Sequence, residues 1–366
     1  MSSLPENEDL LSSKWTFKYA MEGIFVTVIS IFGLLGNSLS IYILMRKEVK
    51  LPKAFVEVLC CLSGFDNLFL LGAFFLYSLP ELCLSYADYN FHLIAPYLYP
   101  ITNTLLTCSS YTTVAVTVNR YLLIKGRTRQ RPNIKLYNGY LQAAMILLAA
   151  MCVNGPRWLE FSCCTYALDA ASEVSESVKG RTIPDESTSF TMQINPIRDE
   201  YEYIRDYTLI SSNVLTLLVP MMLMSLFSGL VYREMATSTK LLNTDQVNDN
   251  EEGEQERRSR SLTFMLLGII VLFILCRIGE LGISIYELIV IMKEGKRTPF
   301  PAYIRNLITV NTSLLVCNSS FNFLIYYKDI LFRRCCVRLY HTLCLVFGKS
   351  VKKEEIRLRD MRTDLP

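Results

Sequence analysis

From Leu93 to Val118 the chain runs 26 residues without a lysine, arginine, aspartate or glutamate. A charge-free run of that length can cross the ~30 Å hydrocarbon core of a bilayer as a single helix. The run ends in Asn119-Arg120-Tyr121, and a basic loop from Lys125 to Lys135 follows at once. An arginine there either snorkels to the headgroups or is held at depth by a partner or a function.

The rest of the sequence obeys the same constraint. Hydrophobic residues make up 51% of the 366 positions and charged residues only 19%, where soluble chains sit nearer a quarter charged. Seven apolar runs, at roughly 22–45, 54–79, 93–124, 136–156, 207–232, 261–290 and 303–327, read as membrane-spanning helices. The connections set their direction. Loop 46–53 has four basic residues and one acid, loop 125–135 has five and none, and the segment after 327 has ten against five. Segment 80–92 has two acids and no base, and 157–206 has ten acids against five bases. The expected product is an all-α, multi-pass protein of the plasma membrane with its N-terminus outside and its C-terminus in the cytoplasm. It divides into an extracellular tail (1–21), a core of seven transmembrane helices (22–327), an amphipathic membrane-surface eighth helix (328–347) and a cytoplasmic tail (348–366). The start of the chain is polar and acidic rather than a cleavable signal, so the first span is expected to act as its own membrane signal.

Several functions are poorly supplied. A net charge of +3 gives no argument for nucleic acid. Twelve cysteines form no CxxC pair, and His92 and His341 are the two histidines, so a zinc site or histidine-based catalysis has few ligands. The nucleotide-binding and hydrolase motifs GxxxxGK, GxGxxG, GxSxG and HExxH are absent. No enzyme is expected.

Polar residues inside the runs carry the functional reading. Asn37 lies in the first run and Asp66 near the middle of the second, where a lone carboxylate is protonated, paired or bound to a cation. Arg277 and Glu280 share a helical face in the sixth run, as do Glu280 and Glu287. That group is either a ligand site or a mutual salt bridge. The fourth run ends in Asn154-Gly155-Pro156-Arg157-Trp158-Leu159-Glu160, where Pro156 should stop the helix and leave Arg157 and Glu160 at the outer mouth. Segment 238–258 is polar and acidic and reads as a flexible cytoplasmic loop. Asp329 to Leu339 is basic and amphipathic, as a membrane-hugging helix would be.

The order of these features over residues 22–345 resembles the rhodopsin-like G-protein-coupled receptors. Asn119-Arg120-Tyr121 is similar to their Asp-Arg-Tyr triplet, Leu62 to Asp66 to their LxxxD, and Asn322 to Tyr326 to their NPxxY with Phe323 for the proline. Phe273 and Cys276 match FxxCWxP, and Pro220 matches the fifth-helix proline. The ending from Asn154 to Glu160 resembles that of the invertebrate FMRFamide-type neuropeptide receptors. The resemblance implies a G-protein switch of Asn119, Arg120, Tyr121, Asn322 and Tyr326. It implies a sodium ion as allosteric modulator, held by Asp66, Ser109, Asn318, Ser319 and Asn322, with no cofactor required. Hydrogen bonding among helices is the alternative use of those residues. Thr102, Arg157, Arg277, Glu280 and Glu287 become candidate ligand contacts, Thr102 standing where amine receptors keep an aspartate. Cys335 and Cys336 are either palmitoylated or reduced thiols.

The sequence departs from the pattern at several places. Asn119 replaces the acid beside Arg120, and Arg277 and Gly279 replace the sixth-span tryptophan and proline. The third-helix cysteine, due near Ala95, is missing, so Cys83 is the candidate partner for Cys163 or Cys164. The resulting expectation is a receptor for a short amidated neuropeptide that signals through a heterotrimeric G protein, with membrane lipid around it and no nucleic-acid partner. The alternatives are a chemosensory or other small-molecule receptor of the same fold, and a poorly signalling decoy. A transporter would need an inverted repeat and broken helices, which the sequence does not display.

Overall fold

Hydroxyl groups decide how the third span can be polar in sequence and central in position. The structure, a computed structural model, describes residues 17–46, 51–128, 137–166, 189–199, 202–242, 250–294 and 299–323. Along α3 (Phe91–Thr128), Thr104, Thr107, Ser110, Thr113 and Thr117 each donate a side-chain hydrogen bond to the carbonyl four residues earlier, at 2.8–2.9 Å. Each hydroxyl is thereby satisfied within its own helix, which removes most of the cost of burying it.

Helices occupy all seven expected stretches. Preceding α3 are α1 (Val26–Leu44), led by a π-helical Tyr19–Phe25, and α2 (Lys53–Ala73), extended by a π-turn at Phe74–Ser78 and a last turn at Leu79–Leu82. A further π-turn, Tyr86–Asn90, leads into α3. Next come α4 (Gly139–Asn154) and an antiparallel hairpin of β1 (Phe161–Tyr166) and β2 (Ser189–Ile194). Phe161 pairs with Ile194, and Tyr166 with Ser189. Two π-helical stretches, Tyr203–Ser211 and Val214–Leu218, run into α5 (Val219–Leu242). Finally come α6 (Asn250–Glu294) and α7 (Ala302–Phe321). All of these π-turns lie at the end of the bundle that carries the hairpin.

Four of the helical segments, Tyr19–Leu44, Lys53–Leu82, Gly139–Leu159 and Val214–Glu234, are long and apolar enough to cross a membrane on composition alone. The other three, α3, α6 and α7, carry much of the polar interior. The bundle is inverted relative to a soluble protein. Val28, Ile31, Leu35, Met145, Leu148, Met222, Leu275 and Ile278 face outward, while Asn37, Ser63, Asp66, Thr112, Arg277 and Ser319 are buried. Only a lipid surround makes that arrangement favourable.

Apolar packing ties the helices at three levels. Val26, Phe69, Leu70, Ala73, Leu106 and Val316 join α1, α2, α3 and α7. Leu44, Phe55, Val58, Leu59, Leu62 and Val116 form a second cluster toward the Arg120 end, and Val114, Met224 and Phe273 join α3 to α5 and α6. Close approach between α1 and α7 needs Gly36, because a Cβ there would collide with the ring of Phe323. Phe323 also packs edge-on against Phe32, with ring centroids 5.1 Å apart.

The start of α4 is pinned twice. Asn138 Oδ1 accepts from the backbone N–H groups of Tyr140 and Leu141, and the buried Glu57 carboxylate on α2 accepts from Gly139 N at 2.8 Å. Two acceptors thus satisfy three donors that a helix start leaves open, and a negative charge there also suits the helix dipole. A Cβ on Gly139 would meet the backbone of Ala54 and Val58 and the side chain of Glu57. Gly139→Ala is therefore expected to destabilise the bundle by about 1–3 kcal/mol through overpacking, read as a lower melting temperature of the detergent-solubilised protein.

Three expectations need correction or narrowing. Segment 238–258 is not a continuous loop, since α5 runs to Leu242 and α6 begins at Asn250. Its sequence suits a helix start. Acids at 251, 252, 254 and 256 precede arginines at 257, 258 and 260, a charge order favourable to the helix dipole and to i,i+4 pairing. Pro156 ends α4 but does not end helical structure, which continues as a 3-10 turn over Gly155–Leu159. The eighth helix (328–347), the tail after it, Tyr326, Cys335 and Cys336 lie outside the described residues, as does most of the N-terminal tail.

Candidate functional site

Two polar centres occupy the interior, one near the middle of the bundle and one toward the hairpin end. The first is built on Asp66, whose side chain α2 buries completely. Ser109 Oγ on α3 donates to Asp66 Oδ1 at 2.6 Å, and Asn322 Nδ2 just past α7 donates to Oδ2 at 2.7 Å. Ser319 also lies within reach of this carboxylate, but its hydroxyl is buried without a well-formed hydrogen bond. Asn37 on α1 donates to the Ser319 carbonyl at 3.1 Å. The oxygens Asn37 Oδ1 and Asn318 Oδ1 are buried without a hydrogen-bond partner.

Of the five residues grouped in the sequence, three are thus joined directly and Ser319 lies beside them. Asn318 is not among the hydrogen-bond partners of Asp66. Asn37 enters the group through α7, a connection its position in the first span did not reveal. One carboxylate beside the hydroxyls of Ser109 and Ser319 offers oxygens suited to a hard monovalent cation, and the orphaned Ser319 hydroxyl leaves an acceptor for one. Asp66, Ser109, Ser319 and Asn322 would hold it.

The second centre is organised by two arginines. Arg277 on α6 is only 1% exposed. Its Nη1 donates to Glu280 Oε2 at 2.6 Å and its Nη2 to Ser110 Oγ on α3 at 2.7 Å, with the guanidinium also 5.3 Å from the ring of Phe273. Arg157, in the 3-10 turn after α4, donates to Tyr99 Oη at 3.0 Å and to Ser212 Oγ at 2.9 Å. Glu160 is buried and accepts from Tyr203 Oη at 3.1 Å. Desolvation and the Glu160 carboxylate both push the Tyr203 hydroxyl well above the ordinary tyrosine range, so it stays a neutral donor. Tyr77 on the π-turn after α2 lies within electrostatic reach of Glu22, Tyr99, Arg157 and Glu280. These groups therefore cluster at the hairpin end of the bundle.

The remaining candidates are dispersed. Thr102 sits between α2 and α3 with its hydroxyl against Gly72, so it packs two helices together instead of joining the Arg277 group. Glu287 stands two turns beyond Glu280 on α6 and borders a small cavity with Tyr286, Phe300 and Pro301. Cys83 is an exposed free thiol, contrary to the disulfide expectation. The strand bearing Cys163 and Cys164 packs on α3 and on the turn after α4, and Cys83 lies instead at the end of the Leu79–Leu82 turn.

At the opposite end, Asn119 Nδ2 donates to Gln142 Oε1 on α4 at 3.1 Å. The amide that replaces an acid thus binds the third helix to the fourth. Arg120 is buried and makes contacts of its own, and Tyr121 lies 5.8 Å, ring to ring, from Phe227 on α5. Sequence reasoning also missed a charged cluster at the hairpin end. Lys18 bonds Glu81 at 2.5 Å and lies 3.8 Å from Glu22, whose other oxygen accepts from Thr309 on α7 at 2.8 Å. An acid at the very edge of an apolar run was the available signal.

This arrangement accords with what comparison finds. Residues 24–328 match the model of the family described as serpentine type 7TM GPCR chemoreceptor Srw. The chain belongs to that family. Srw proteins are seven-helix membrane receptors rather than enzymes, so the seven helices seen here are its transmembrane core. This Srw member is also 22% identical over 311 residues to an FMRFamide receptor of Drosophila melanogaster, covering 83% of this chain and half of that relative. It is 22% identical over 341 residues to the probable G-protein coupled receptor frpr-1 of Caenorhabditis elegans, covering 88% of this chain and 79% of that one.

Proposed function

We propose that this protein is a receptor for a short amidated peptide and signals through a heterotrimeric G protein, with its N-terminus and hairpin outside the cell and its C-terminus in the cytoplasm. The observation that carries the reading is the cluster of aromatic and charged groups at the hairpin end of the bundle. Tyr77, Tyr99, Arg157 and Glu280 converge there from four elements, offering aromatic faces and both signs of charge to one ligand. Peptides ending in Arg-Phe-amide carry an aromatic ring and a positive charge, which the acidic segment 157–206 and Glu280 or Glu287 would attract. The name of the Drosophila relative supports that ligand class. Agonist would shift an existing equilibrium toward a state that admits the G protein near Arg120 and Tyr121. Sodium at Asp66 would favour the other state.

The family's description as chemoreceptors favours a second reading, a small-molecule ligand at the same cluster. Cells expressing the chain and challenged with amidated peptides decide between them. The expected result is a concentration-dependent calcium or cAMP response that Arg120→Ala abolishes. Silence from a receptor shown to be at the surface would transfer the reading to small molecules. Unchanged peptide potency in Glu280→Ala and Glu287→Ala variants would remove those two acids from the ligand site.

A further inference from the structure

Glu280 already has a cation. Arg277 holds it at 2.6 Å, and the same guanidinium reaches across to Ser110 on the third helix at 2.7 Å. The two members of the pair differ in access: the Arg277 side chain is 1% exposed and that of Glu280 is 28% exposed. Glu280 also acts electrostatically on Tyr77 and Arg157, while Arg277 is buried. Glu280 stands one turn nearer the hairpin end of α6 than Arg277 and is the more accessible of the two.

We propose that Arg277 is an internal competitor for the ligand's cation, and that a ligand guanidinium or ammonium acts by taking Glu280 from Arg277. This inference rests on the peptide reading and adds to it the group recognised and the way recognition reaches the helices. With Glu280 and Arg277 paired, α6 is tied to α3 through a buried, charge-assisted bridge to Ser110. With Glu280 engaged by the ligand, Arg277 is left as a buried cation deprived of its counter-charge, an arrangement that cannot persist without movement. The relief available is for α6 to shift relative to α3. Phe273, one turn before Arg277 and packed with Val114 and Met224, shifts with it. The exchange transfers no covalent group. One ion pair is replaced by another, so the net cost of ligand binding is set by how firmly Arg277 holds Glu280.

The test uses the full chain in cell membranes, with the peptide Phe-Met-Arg-Phe-amide and its citrulline analogue as probes. Citrulline keeps the shape of arginine and loses the charge. Wild-type receptor is expected to prefer the arginine peptide by about tenfold or more, and Glu280→Gln to erase that preference. Arg277→Met removes the competitor, so it should tighten binding of the arginine peptide by about tenfold and leave the citrulline peptide unchanged. Weaker or unaltered binding of the arginine peptide to Arg277→Met overturns the proposal, because a direct contact or a passive support would give those results. If wild type binds neither peptide, the peptide reading fails and a ligand-free measurement decides the exchange. Arg277→Met and Ser110→Ala should each raise basal signalling at equal surface expression, and the double variant should do no more than the stronger single one. Unchanged basal signalling in both, or fully additive increases, overturns the bridge.

Discussion

Gly36→Val is expected to leave little receptor at the cell surface. A Cβ on Gly36 falls within the ring of Phe323, and Phe323 is held on its other side by Phe32. Valine adds two further methyl groups in that space, so α1 and α7 must separate. Overpacking of a filled core costs about 1–3 kcal/mol and occasionally more. Here the separation also pulls the Asn37 bond from the Ser319 carbonyl, a buried connection worth about 1 kcal/mol. Because α7 positions Asn322 against Asp66, the damage reaches the central polar site. Phe323→Ala removes the obstructing ring, so the double variant Gly36→Val with Phe323→Ala should recover part of the surface expression lost in the single one. Flow cytometry on an epitope-tagged receptor measures both. Equal losses in the single and double variants would show that this collision is not the cause.

The second large effect belongs to Asp66. Asp66→Ala deletes the acceptor for two buried donors, Ser109 Oγ and Asn322 Nδ2. A buried donor left without a partner costs about 1–3 kcal/mol, so a loss of about 2–6 kcal/mol is expected for the pair. Asp66→Asn keeps the size and one acceptor oxygen and should fold far better, while losing the charge on which a cation would depend. Solubilised wild-type protein is expected to melt at a higher temperature in sodium chloride than in choline chloride. Sodium at about five times its dissociation constant contributes about 1 kcal/mol. Asp66→Asn should show no such difference. A wild-type melting temperature indifferent to sodium would leave the oxygens around Asp66 as hydrogen-bonding groups between helices and nothing more.

How far these features could be read in advance depended on the kind of signal. Span positions were legible because hydrophobic length is a local property, and α1, α2 and α4 fall within a few residues of their apolar runs. Asp66, Ser109 and Asn322 could be grouped because a carboxylate in a span demands partners and few were on offer. The pair formed by Arg277 and Glu280 followed from helical periodicity. Its third member did not. Ser110 is one of many hydroxyls along α3, and only packing distinguishes the one that also meets α6 from those that bond solely within their own helix. Thr102 is a candidate for standing where amine receptors keep an aspartate, and its contact with Gly72 is a packing feature that no motif announces. The helical start of α6 was hidden because charge and low hydropathy also characterise disordered segments.

The π-turns have a consequence for comparing this protein with its relatives position by position. A π-turn accommodates one residue more than the α-helical turn it replaces, so it rotates every side chain beyond it relative to the straight part of the helix. In the fifth helix two such stretches lie between Tyr203 and Leu218, on the hairpin side of Pro220. Counting back from Pro220 by α-helical spacing therefore selects the wrong face at the hairpin end, while counting forward toward Phe227 stays in step. The same holds at Phe74–Ser78 on the second helix, which carries Tyr77. A single inserted or deleted residue at one of these turns would change which side chains face the interior at the hairpin end and leave the Arg120 end of the same helix in register. Ligand preference can thus diverge among related chains by insertion and deletion as readily as by substitution.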